Sequence, residues 1–191
     1  MFYKLNFHQK IIALCLLYSI VFSISFYLFK FSVEAISCWE IVLFNFLQVW
    51  DLMLVGFLFF QTFKYVRMPK DFYLQRNYET KKYFKYLGVN IFRLLLINSF
   101  FRHLNNRVYL KGKAKDYLLT FIEETKQSET SHIISGIFPL SIQLLYLKYG
   151  LIEHFIWLSI FNIIFNLYPL LLQRMNRFKM LTKYPNLIKK N

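Results

Sequence analysis

The chain has 191 residues, one domain's length, of which 57% are hydrophobic and 21% aromatic, with a mean hydropathy of +0.35. These values exclude an ordinary soluble domain, and five Gly and four Pro exclude a low-complexity chain. The net charge of +14 would suit a nucleic-acid binder, yet the basic residues flank long apolar runs, as they do at an anionic lipid surface. The expectation is an all-α integral membrane protein with membrane lipids, and no nucleic acid, as partners.

Lys4 and Lys10 lead into Ile11–Phe29, nineteen residues without a charge. At about 1.5 Å per residue this run crosses about 30 Å of hydrocarbon, and it lacks the short core and small-residue cleavage site of a signal peptide. It reads as an uncleaved anchor. Cys15 lies inside it and Cys38 follows in a short loop, so no disulfide framework is implied. A second span runs from about Ile41 to Phe63 with Asp51 midway. A carboxylate at that depth costs about 2.5–3.5 kcal/mol on insertion scales, so Asp51 should face protein rather than lipid.

From Lys64 to His132 the composition becomes basic and aromatic. Met68-Pro69 breaks the emerging helix. Leu87–Phe101 is apolar again but only fifteen residues long and interrupted by Asn90, Arg93 and Asn98, which suits a helix lying in the interface. Asn105-Asn-Arg and Lys111-Gly-Lys-Ala-Lys form a turn-rich basic loop. An amphipathic helix then starts near Asp116, with Leu118, Phe121, Ile122 and Thr125 on its inward stripe. The same spacing continues to Glu129 and His132, so the apolar face turns acidic and then imidazole where the chain enters lipid at Ile133. A carboxylate three residues before a histidine on a helix is placed to touch it and fix its tautomer.

Ile133–Leu147 and Phe155–Leu172 are the last apolar pair, as full spans or, given the short first member and its Pro139, as a re-entrant hairpin. Asn162, Asn166, Gln173 and Arg177 form one polar stripe along the second helix, with Pro169 between them. In lipid such a stripe must face other helices or a cavity. The Lys and Arg residues fall as two before the first span, one in the first loop, fourteen in Lys64–His132, one at the hairpin tip and six from Gln173 onward. The positive-inside rule therefore places both termini and the middle segment in the cytoplasm, with Glu129/His132 and Gln173–Arg177 at the same headgroup layer.

A neutral histidine backed by a carboxylate takes a proton from a hydroxyl as that hydroxyl attacks an ester or thioester. Arg174, Asn176 and Arg177 are suited to stabilise an oxyanion or hold phosphates. A di-iron site would need a second Glu-x-x-His, and neither a Gly-x-Ser-x-Gly elbow nor a phosphate-cradling glycine loop occurs, so no metal or bound cofactor is expected.

Glu124-Thr-Lys-x-x-Glu129-x-x-His132, followed by Asn166-x-x-Pro169-x-x-x-Gln173-Arg174-x-Asn176-Arg177, resembles the glycosyl-4,4'-diaponeurosporenoate acyltransferase family of small bacterial membrane proteins. A weaker pattern, Pro69…Tyr78-Glu79…Tyr86-Leu87-Gly88-Val89, extends the resemblance upstream to cover roughly Pro69 to Arg177. The chain departs from the family's pattern in carrying two strong spans before Pro69, where the typical member has one. The resemblance implies transfer of a fatty acyl group, from acyl-CoA or an acyl-carrier protein, to a hydroxyl of a membrane-embedded glycolipid or glycosyl-carotenoid-like acceptor at the cytoplasmic face of a bacterial inner membrane.

The expected architecture is about four transmembrane or re-entrant helices plus an interfacial amphipathic segment. Residues 1–63 hold the first two spans, and 64–191 form an acyltransferase-like region divided into a basic segment (64–132), a hairpin (133–172) and a basic tail (173–191). His132 is the expected base and Glu129 its orienter, with Asn166, Gln173, Arg174, Asn176 and Arg177 binding substrate. The alternative is a non-catalytic lipid- or partner-binding membrane protein in which the same Glu, His and Arg residues form a structural cluster. Reporter fusions at Ser37 and after Lys190 test the orientation: a periplasmic signal at Ser37 and a cytoplasmic one at the tail are expected, and a periplasmic tail would reverse the assignment.

Overall fold

The structure, a computed structural model, describes residues 7–34, 37–62, 68–99 and 115–185. Its helices are α1 (Phe7–Glu34), α2 (Cys38–Thr62), α3 (Lys81–Tyr86), α4 (Val89–Asn98), α5 (Lys115–Lys148), α6 (Ile152–Asn162) and α7 (Tyr168–Lys183). A 3-10 turn covers Lys70–Tyr73, and a π-helical turn, Ile163–Leu167, joins α6 to α7. No strand occurs among the described residues. The protein is an all-α membrane protein with four segments long and apolar enough to cross a bilayer: Cys15–Glu34, Cys38–Phe60, Leu118–Lys148 and Ile152–Lys183. Lys4, the basic loop 105–114 and Lys189–Lys190 lie outside the described residues.

The chain divides into two compact units, Met1–Lys64 with Ile134–Ile164, and Tyr65–Ile133 with Phe165–Asn191. In the first, α1 packs on α2 and α2 on α6. The outward faces carry exposed Leu16, Phe22, Phe26, Leu43 and Leu144, as expected where lipid replaces water. Asp51 faces α1 and accepts a hydrogen bond from Ser25, so its carboxylate has the polar partner that its depth requires. Asn162 donates to the Gly136 carbonyl at 3.2 Å, which joins α6 to α5. Pro139 stands inside α5, and the helix continues through it for 34 residues in all. The short apolar run from Ile133 is thus the second half of a long helix.

The second unit is built on the first half of α5 and on α7. Leu118, Phe121 and Ile122 pack against Met180, with Leu181 and Tyr184 at the edge. Thr125 and Glu129 complete the same buried stripe, as the helical spacing from Leu118 requires. The ten residues of α4 are too short to cross a bilayer at about 1.5 Å each. One face buries Val89 against Leu172 and Met175, while Ile91, Leu94 and Leu95 are exposed. Gly88 makes the break between α3 and α4, with a φ of 71° that costs a residue with a Cβ about 1 kcal/mol or more.

Gly56 is where α2 meets α5 within the first unit. A Cβ there would stand 2.4 Å from the Ser135 Cα, a backbone atom that no rotamer change moves. Gly56→Ala should therefore force the helices apart and cost about 1–3 kcal/mol. Gly150→Ala, where no atom lies within 4 Å, should cost only its backbone strain of about 1–2 kcal/mol. Thermal unfolding of both purified variants checks this, with the larger Tm loss and the lower membrane abundance expected for Gly56→Ala.

Candidate active site

Four charged side chains of the second unit meet in its interior. Glu129, on α5, has a side chain with 0% exposure, and Arg177, Glu79 and Arg174 retain 5%, 6% and 10%. Arg174 Nη1 lies 2.6 Å from Glu129 Oε1, and Arg177 Nη2 lies 2.6 Å from Glu129 Oε2. Arg174 also donates from Nε to Glu79 Oε1 at 2.5 Å, and from Nη1 and Nη2 to the carbonyls of Phe72 and Leu74 at 3.1 and 3.3 Å. One planar guanidinium thus ties α7 to α5, to the turn at Lys70–Tyr73 and to Glu79. A lysine, with a single point of attachment, has no such fork. Two carboxylates against two guanidinium groups leave the cluster formally neutral, which makes its burial tolerable.

Aromatic rings enclose it. The Arg174 guanidinium lies 5.5 Å from the Phe72 ring centroid and that of Arg177 lies 5.6 Å from Tyr73, distances at which the ring quadrupole attracts a cation. The Tyr73 hydroxyl meets Thr130 Oγ1 at 2.5 Å and accepts from the Met68 N–H at 3.2 Å. Burial, with Tyr78 and Glu79 adding to it and Arg174 opposing, raises the Tyr83 phenol above its ordinary value, so it stays neutral.

His132 follows Glu129 by three residues and is half-buried. Its hydrogen-bond partner is the Asn166 side chain. Both Glu129 oxygens face arginines, so the expected pairing of Glu129 with His132 is replaced by two others, Glu129 with Arg174/Arg177 and His132 with Asn166. Asn166 is 3% exposed and lies in the π-helical turn. The turn has a sequence cause: Pro169 has no N–H to give the Phe165 carbonyl, and the backbone there widens.

The other expected binding residues are placed differently. Arg174 is consumed by the cluster. Arg177 keeps Nη1 buried without a hydrogen-bond partner, and Asn176 likewise keeps Nδ2. Gln173 is half-buried. Three participants are not expected as site residues from the sequence: Glu79, Tyr73 and Thr130. Glu79 had a signal, since Asp71 and Glu79 are the only acids between Lys64 and Lys115, and an acid in so basic a segment needs a reason. Tyr73 and Thr130 had none, being an ordinary aromatic and an ordinary hydroxyl until the fold joins them.

Fold and site together define a helical membrane protein with an ionic centre buried between α5 and α7. Residues 69–184 match the family model described as glycosyl-4,4'-diaponeurosporenoate acyltransferase. The chain belongs to that family and is an acyltransferase of carotenoid glycolipid modification. Comparison with curated proteins and with solved structures gave no match. Every residue of the ionic cluster, with His132 and Asn166, lies inside the matched segment.

Glu129→Gln should leave Arg177 with no carboxylate and cost about 3–5 kcal/mol, as when one member of a buried ion pair is removed. Glu79→Gln leaves Arg174 paired with Glu129 and should cost less, about 1–3 kcal/mol. Membrane abundance and thermal unfolding of the two variants check the order, and a Glu129→Gln protein as stable as the parent would contradict it.

Proposed function

We propose that the protein transfers a fatty acyl group from a thioester donor, acyl-CoA or an acyl-carrier protein, to a hydroxyl of a membrane-embedded glycolipid or glycosyl-carotenoid-like acceptor at the cytoplasmic face of a bacterial inner membrane. The observation that carries this reading is the half-buried His132, held by Asn166 beside a neutralised ionic cluster, inside the segment that matches the acyltransferase family. The cytoplasmic face rests on the fourteen basic residues of Lys64–His132 and the six from Gln173. The sugar hydroxyl as acceptor rests on the family description alone.

In this mechanism the acceptor hydroxyl gives its proton to His132 as its oxygen attacks the thioester carbonyl. The new C–O bond forms, the C–S bond breaks, and the departing thiolate recovers the proton from His132. Asn166, rather than Glu129, orients the imidazole. The free Nη1 of Arg177 and the Nδ2 of Asn176 are the donors left to meet a developing oxyanion or a donor phosphate. Arg174 acts as a brace, since its donors already serve Glu79, Glu129 and two carbonyls. Gln173 borders the same helix face and contacts the acceptor's polar end.

His132→Ala removes the base without stranding a charge. It should lower acylation by roughly 10²–10⁴-fold while membrane abundance stays near that of the parent. Asn166→Leu should lower the rate less, because the imidazole is still present but no longer held. Quantifying acylated lipid and protein in the same membranes checks both. Normal product from a well-expressed His132→Ala protein would remove this histidine from the mechanism.

A further inference from the structure

The first unit holds a polar centre of its own, built from uncharged groups. Ser32 on α1, Asn45 and Gln48 on α2, Tyr146 on α5 and His154 on α6 are each 0–5% exposed. Three of them sit near helix ends: Ser32 is two residues before the end of α1, Tyr146 two before the end of α5, and His154 two after the start of α6. The Ser32 hydroxyl lies 2.8 Å from both the Tyr146 hydroxyl and His154 Nδ1, and Tyr146 donates to Gln48 Oε1 at 2.7 Å. Asn45 Nδ2 donates to the Ile41 carbonyl at 2.7 Å and lies 3.0 Å from His154 Nδ1. Ser32, Asn45 and Gln48 precede the segment that matches the acyltransferase family and Tyr146 and His154 lie within it; the mechanism proposed above uses none of the five.

Following the protons shows what the network lacks. Asn45 Nδ2 can only donate, so His154 Nδ1 accepts and the imidazole proton is on Nε2. Tyr146 spends its proton on Gln48 Oε1, which leaves the one Ser32 hydrogen to be shared between the Tyr146 oxygen and His154 Nδ1. Two buried atoms are then left without a hydrogen-bond partner, Gln48 Nε2, a donor, and Asn45 Oδ1, an acceptor. They belong to residues three apart on α2, neighbours on one face of the helix. An orphaned buried polar atom costs about 1–3 kcal/mol, and in hydrocarbon no solvent relieves it.

We propose that this centre binds the hydroxyl group of a neutral, membrane-soluble amphiphile. A hydroxyl meets both needs at once: its hydrogen goes to Asn45 Oδ1 and its lone pair accepts from Gln48 Nε2. A carboxylate has no hydrogen for Asn45, and an ammonium has no lone pair for Gln48. None of the five side chains is charged at neutral pH, and the neighbouring Glu153 is exposed rather than part of the network, so nothing inside the centre would offset the burial of an ion. Within two residues of these five in the chain, Phe31, Val33, Leu43, Leu147 and Ile152 are apolar and exposed. The ligand accordingly arrives from the bilayer with its tail among these residues.

The test uses the full chain in lipid nanodiscs and four probes of one chain length: 1-dodecanol, dodecanoate, dodecylamine and dodecane. Thermal unfolding is followed as each is titrated into the bilayer. Dodecanol should raise Tm, with half-saturation at a mole fraction at least about tenfold lower than for the acid or the amine, as one net hydrogen bond implies. Gln48→Met and Asn45→Leu should each abolish the dodecanol effect. The comparison on the unaltered chain decides the matter even if a variant folds poorly. Equal responses to all four probes would mean that water completes the network, and preference for the acid or the amine would mean that charge is recognised. Either result overturns the proposal.

Discussion

A carboxylate with no exposed surface, Glu129, fixes how the second unit is assembled. Removing such a group from water costs several kcal/mol even after relaxation, and two guanidinium groups from α7 offset that cost by approaching both its oxygens. Arg174 then has donors left over, and they reach Glu79 and the carbonyls of Phe72 and Leu74. The segment from Pro69 to Tyr86 has little regular structure of its own, a four-residue turn and the six-residue α3, yet it is held in place from within. The proposed chemistry depends on this arrangement, because His132 is three residues from Glu129 on the same rigid helix. Charge balance in the cluster leaves the histidine beside a formally neutral wall.

The same constraint has a second solution in the first unit. There the buried polar groups carry no charge, and they satisfy one another through a chain of hydroxyl, imidazole and amide contacts across α1, α2, α5 and α6. A charged cluster holds its geometry by Coulomb attraction and resists a foreign group that would disturb the balance. A neutral network with one donor and one acceptor unspent accommodates a further polar group without that penalty. The two centres thus suit different tasks, positioning a reactive group in one case and receiving a neutral ligand in the other.

Backbone irregularity is placed where side chains need it. Pro169 lacks the N–H of a regular helix, and the π-helical turn beside it carries the buried Asn166. Pro139 is absorbed without ending α5. Gly56 lets two helices approach until the Ser135 backbone is in contact range, which brings small residues together where dispersion is the main attraction between helices.

Much of this was legible in the chain. Long uncharged runs gave the spans, since hydrocarbon thickness fixes their length. The spacing from Leu118 to Glu129 gave the buried stripe, since the helical repeat places those residues on one face whatever they pack against. Asp51 had to find a partner, and Ser25 is that partner. The Glu129-x-x-His132 and Asn166…Arg177 motifs pointed to the family and to residues that the fold brings together. The pairing among them was decided by the tertiary structure alone. Helical spacing puts Glu129 near His132, but two arginines on another helix compete for the same carboxylate, and opposite charges in a low-dielectric interior outweigh a local contact to a neutral ring. For the same reason Glu79 joins the site from fifty residues upstream of Glu129. The neutral network left no mark in the sequence: Asn45, Gln48 and Tyr146 are single polar residues in apolar runs, Ser32 and His154 stand just outside such runs, and only the packing of four helices brings them together.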